Sequence, residues 1–166
     1  MFEMKRLTPE GIPQALDRVE RYRLLNEPWA AASICKDILQ IDPNHQEAIF
    51  RLILAITDQF GEAGEPEVSE ARALIPQLKD EYRRLYSEGI ICERKGTAIL
   101  RRDLTGTGPI AHRWLTEAMS HYEAAEPLRP QGNDDTITRW NTCARLIQRY
   151  DHLEEAKGVT VEHFLE

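Results

Sequence analysis

The residues that could do chemistry are five histidines, three cysteines and a large set of carboxylates, and their spacing decides what they can do. A metal centre inside a helical protein needs His and Glu or Asp converging at helical intervals, as in Glu-x-x-His or His-Glu-x-x-His. None of His45, His112, His121, His152 and His163 has a glutamate three residues before it, and no two histidines are four apart. Glu117 and His121 do fall on one helix face, where the plain reading is a solvated pair and the sharper one a metal or proton-transfer role. Cys35, Cys92 and Cys143 are odd in number, far apart and without a Cys-x-x-Cys, so neither a disulfide framework nor a thiol zinc site is indicated. Each lies in an apolar helical pattern and reads as a small core residue. Thr105-Gly106-Thr107-Gly108 and Lys95-Gly96-Thr97 look superficially like phosphate loops, but the glycines follow a helix, and Lys95 precedes Gly96 instead of following it. No serine stands in a nucleophile elbow. The expectation is a non-enzyme with no catalytic residue, no metal and no cofactor.

The elements that would position side chains are more legible than the chemistry. Ala31, Cys35, Ile38 and Pro43 are matched 87 residues on by Ala118, Tyr122, Ala125 and Pro130. Residues four and seven apart share one helical stripe, a small side chain there lets two backbones approach, and proline then stops the helix. Asn44 and Glu47 have the spacing of a capping box for the following helix. Strand-like alternation does not persist, whereas apolar spacings of three and four recur from Ile12 to Ile147. The class is all-α, with about seven helices.

Along the chain, Thr8-Pro9 opens a helix to about Leu25, and Asn26-Glu27-Pro28 turns into a second that ends at Asp42-Pro43. A third runs from about Asn44 to Phe60, before an acidic loop at 61–66. The stretch 67–103 is too long for one ordinary helix. A break is expected near Arg83 to Tyr86, with Pro76 as the other place for a bend. Thr105 to Pro109 is a loop, and the next helix carries Trp114, Ala118, Tyr122 and Ala125. The last long helix carries Trp140, Ala144 and Ile147. The tail 151–166 either caps the array through Phe164 and Leu165 or is loose.

Composition agrees with one domain over 1–166, since 42% hydrophobic and 30% charged residues are those of a folded chain of ordinary size. No secretory leader or membrane span is evident, and a cytoplasmic location is the default. The net charge is −7, yet residues 79–102 hold seven Lys/Arg against four acids, while 58–70 hold five acids and no base. Such a chain is a poor nucleic-acid binder, because that affinity comes mainly from neutralising phosphates. It suits an acidic peptide.

The pattern resembles the tetratricopeptide-repeat family, whose 34-residue unit is a pair of antiparallel helices with small residues at their contact and proline after the second. The two copies match the second helix of that unit. Trp140, Cys143, Ala144 and Ile147 match a first helix, and Gly89 and Cys92 another. The resemblance covers about residues 10–150 and implies a right-handed α-solenoid. It also departs from the family: Val19 and Arg83 replace an expected small residue and an expected proline, and the offset of 87 exceeds two repeats by about 19 residues.

In this family the first helices line a concave groove. The resemblance therefore implies groove positions at Leu16, Glu20, Arg23, Phe50, Leu54, Tyr86, Ile90, Arg94, Asn141, Arg145 and Arg149. Glu20 stands where the carboxylate-clamp co-chaperones of the family need a non-repelling residue, so that subclass is not expected. The implied function is a non-catalytic protein-interaction scaffold for a peptide or partner helix with an acidic flank. A helical enzyme or cofactor-binding protein is the alternative, together with a self-associating structural module, a homo-oligomer built on Trp29, Trp114 or Phe164.

Overall fold

The structure is a computed structural model that describes residues 2–62, 66–102 and 106–150. The tail expected to cap the array lies outside them, as does part of each of the loops expected at 61–66 and 105–109. Among the described residues there are seven α-helices and no strand.

A 3-10 turn, Pro9–Gly11, leads into α1 (Ile12–Leu24), with Pro13 placed where a helix needs no N–H. The chain stops this helix at Asn26, which takes φ 60°. There the Glu27 N–H donates to Tyr22 O at 2.9 Å and the Asn26 N–H to Arg23 O at 3.1 Å, the paired closure of a Schellman turn. Pro28 begins α2 (Pro28–Ile41) directly after it.

Helix α3 (Gln46–Thr57) is capped by His45, whose Nδ1 accepts the Ala48 N–H at 3.2 Å. The expected Asn44–Glu47 capping box does not form. Asp42 Oδ1 accepts the Asn44 N–H at 3.1 Å and delays the helix by one residue, which leaves Glu47 to ion-pair with Arg51 and Arg83.

The break falls not at Arg83 to Tyr86 but at Pro76, the other place expected for a bend. Helix α4 (Val68–Arg72) is short, and a 3-10 turn at Ile75–Gln77 follows, because Pro76 has no N–H with which to continue a ladder. Leu78 is extended, and Asp80 Oδ1 accepts the Tyr82 N–H at 2.9 Å to start α5 (Glu81–Arg102), which runs through Arg83–Tyr86 without interruption. The Gln46 side chain bonds both ways with the extended segment, Nε2 donating to Gln77 O at 3.1 Å and Oε1 accepting the Lys79 N–H at 2.7 Å. Arg84 fills the carbonyls of Leu78 and Lys79. Helix α6 (Gly108–Ala125), a 3-10 turn at Glu126–Leu128 and α7 (Asp135–Arg149) complete the described chain.

Helices pack on their sequence neighbours, α1 on α2, α2 on α3, α5 on α6 and α6 on α7, and α3 also reaches α5. Both copies of the repeated pattern face inward: Ala31, Cys35 and Ile38 on α2, and Ala118, Tyr122 and Ala125 on α6, have no exposed surface. The approach of α5 to α6 depends on glycine. A Cβ on Gly89 would stand 2.4 Å from the Tyr122 ring, and one on Gly96 would stand 3.0 Å from Leu115. Helix α5 serves two cores. Ile91 and Ala98 join the cluster of α1 to α4, whereas Ile90 and Cys92 join that of α6 and α7.

Candidate functional site: an arginine-lined cleft

The odd-numbered helices meet around one polar cleft of about 320 Å³. Arg23 comes from the last turn of α1, Asn26 from the turn after it, and Thr57 and Asp58 from the end of α3. Helix α5 gives Glu93, Arg94, Thr97 and Arg101, and α7 gives Arg139. On α5, Arg94 and Arg101 are seven residues apart, as are residues two turns along one helical stripe, so one helix supplies two guanidiniums to the same side.

Two carboxylates hold three of the arginines in place. Asp58 is shared, with Oδ2 accepting from Arg23 Nε at 2.7 Å and Oδ1 ion-paired to Arg94. Glu93 accepts from Arg139 Nη1 at 3.0 and 3.1 Å and from the Tyr122 hydroxyl at 2.5 Å, while Arg139 Nε donates to the Tyr86 hydroxyl at 2.9 Å. Arg101 is exposed at the rim. Four guanidiniums therefore face two lining carboxylates, with Glu20 as a third just outside, 3.6 Å from Arg23 Nη1, and the cleft keeps an excess of positive charge.

Burial and crowding shift the pKa values of these groups. Burial presses the Arg94 guanidinium down, as do the like charges of Arg139, Arg23 and Arg101, while its ion pair with Asp58 acts the other way. Burial also lowers Arg23, against the pull of Glu20. At Arg139 burial opposes the charge, but Glu93, Tyr122 and Tyr86 outweigh it and its pKa is raised. Tyr122 is raised by burial and by Glu93, so its hydroxyl stays a donor. An anion entering the cleft would relieve the repulsion among the guanidiniums. Their planar forks suit carboxylate or phosphate oxygens. None of the described lining residues is a histidine, cysteine or serine.

The groove positions expected from the sequence divide. Arg23 and Arg94 line the cleft. Leu54 supports it through its carbonyl, which accepts from Arg94 Nη1 at 3.5 Å. Tyr86 is buried behind it as the partner of Arg139. Leu16, Glu20 and Phe50 belong to an adjoining stretch of the same helices: Arg51 donates to Leu16 O at 2.8 Å and lies 4.0 Å from Glu20, and Arg83 covers the Phe50 ring at 4.9 Å. Ile90 is fully buried and is core. Asn141 lines a separate cleft with Glu123, Ile137 and Trp140, and Arg145 and Arg149 are exposed on α7 away from the arginine cleft.

Asp58, Glu93, Arg101 and Arg139 were not anticipated. For Arg139 a signal was present, since it stands four residues before Cys143, whose side chain is fully buried, and so shares the inward face of α7. Arg101 lies two turns along α5 from Arg94 on one stripe, and Glu93, the residue before Arg94, lies two turns along from Tyr86. No helix among the described residues is long and apolar enough to cross a membrane. Compared with family models, with curated proteins and with solved structures, the chain finds no match in any of the three.

Proposed function

We propose that this chain is a non-catalytic scaffold of tetratricopeptide-like helix hairpins, and that its arginine cleft receives an acidic group of a protein or peptide partner. The observation that carries this reading is the convergence of four guanidiniums on one cleft with two carboxylates between them. Its support in the fold is that the charged lining comes from α1, α3, α5 and α7, which are the first helices of successive hairpins in the repeat reading. Bidentate arginine contacts give such a site direction as well as charge.

The test is fluorescence anisotropy of a labelled aspartate- and glutamate-rich peptide against the full chain, beside the same peptide with Asn and Gln in place of the acids. Binding should need the acids, weaken with added salt, and fall about tenfold on Arg101→Glu, given that loss of a charged contact costs about 1.5–3 kcal/mol. Arg101 is exposed, so this variant should fold. Equal binding of the two peptides would refute the reading.

Self-association has its own observation. Leu24, Leu25 and Trp29 are 79%, 61% and 66% exposed around the α1–α2 turn. Mass that rises with concentration in light scattering, and stops rising in Trp29→Ser, would assign that turn to a contact between copies. A monomer at all concentrations would exclude it.

A further inference from the structure

Away from the arginine cleft, α5 and α6 carry matched pairs of donors four residues apart, Glu88 and Cys92 on one and Glu117 and His121 on the other. One ligand atom each from Glu88, Cys92 and His121 lies within 4.8 Å of the others. Glu117 Oε1 is 3.9 Å from His121 Nε2, and the Glu117 charge acts on the Cys92 thiol. What holds these groups together is a cation from a third element. The Arg72 guanidinium, at the end of α4, reaches Glu88 at 3.0 Å, Glu117 at 3.1 Å and Cys92 Sγ at 3.5 Å. It packs over the Trp114 ring at 5.5 Å.

One thiol, one imidazole and two carboxylates on two packed helices make a donor set for a tetrahedral borderline metal. Sulfur and nitrogen donors disfavour magnesium and calcium, which take oxygen. We propose that Glu88, Cys92, Glu117 and His121 form a zinc-class site, with Arg72 as the counter-cation that fills it in the metal-free protein. The charge is the same in both states. Two carboxylates, a neutral thiol and Arg72 sum to one negative charge; two carboxylates, a thiolate and a divalent ion do so as well. Loading forms the metal–sulfur bond, releases the Cys92 proton to solvent and displaces Arg72, with no change of oxidation state. Arg72 is free to leave, since its side chain is 38% exposed and ends a five-residue helix. The two helices are held by their own packing through Gly89 and Gly96. The role is structural or regulatory, and it stands independently of the arginine cleft.

The test is titration of the reduced full chain with Co(II), followed by zinc. The wild type should take one equivalent and show tetrahedral d–d absorption with a thiolate-to-cobalt charge-transfer band, both lost on adding zinc. Cys92→Ser should abolish the charge-transfer band while keeping helical circular dichroism, His121→Gln should weaken binding by about tenfold or more, and Arg72→Ala should strengthen it. No thiolate band in the wild type, or the same band in folded Cys92→Ser, would overturn the site. Should Cys92→Ser not fold, His121→Gln decides, because His121 lies partly in solvent and unchanged affinity there would also overturn it.

Discussion

At the scale of single residues, the shared carboxylate Asp58 makes the sharpest claim. It neutralises Arg23 and Arg94 together, so it supports the fold and competes with any incoming anion. Asp58→Asn should therefore lower stability, by about 2 kcal/mol and less than the roughly 3–5 kcal/mol of a fully buried pair because these groups are partly wet. The same change should raise affinity for an acidic peptide. Chemical denaturation and peptide titration read the two effects, and a fall in both would mean that Asp58 belongs to the ligand's contacts. Gly89 is as constrained. Alanine gains about 1 kcal/mol in a helix, but its Cβ would meet the Tyr122 ring, and overpacking of about 1–3 kcal/mol should dominate. Gly89→Ala should lower the denaturation midpoint. Cys35, Cys92 and Cys143 give a pH-dependent prediction, since burial raises all three from 9.0 to about 12. At pH 8 the thiolate fraction is then about one in ten thousand, so iodoacetamide should label the unfolded chain and spare the native metal-free one. Between these two pKa values the unfolded chain loses thiol protons that the native chain keeps. The stability they contribute is complete below about pH 9 and declines toward pH 12.

At the scale of elements, what could be read from sequence follows from what acts locally. The pattern Ala31, Cys35, Ile38 and its copy at Ala118, Tyr122, Ala125 is buried in both places, because a stripe with period near 3.6 has only one way to face a neighbour. Asn26-Glu27-Pro28 ends α1 as its residue types imply. Asn26→Ala should cost about 1 kcal/mol, the penalty of left-handed backbone without a short polar side chain, whereas Asn26→Gly should not. Thermal melts of the two variants decide it. The segment after α4 was harder to read because Gln46, more than thirty residues away, supplies its hydrogen bonds, and no local signal announces a partner so distant. The same limit explains the site. Arg23 and Arg94 could be anticipated from their positions on α1 and α5, but their carboxylate sits at the end of α3 and is known only once the helices are packed. On α7 the repeat register pointed to Asn141, Arg145 and Arg149, and the buried stripe through Cys143 turns Arg139 inward instead. The pair Glu117 and His121 reads as solvated until α5 brings Glu88 and Cys92 beside it.

At the scale of the whole molecule, the chain carries −7, yet its odd-numbered helices gather four arginines at one cleft. An acidic partner would be drawn to the place where the four guanidiniums converge, which favours orientation over raw affinity. The most direct test is a set of two-dimensional spectra of the arginine Nε–Hε groups during titration with an acidic peptide. The arginine-cleft account predicts shifts at Arg23, Arg94, Arg101 and Arg139, with Arg145 and Arg149 unmoved. Shifts confined to Arg145 and Arg149, or to none of the six, would contradict it.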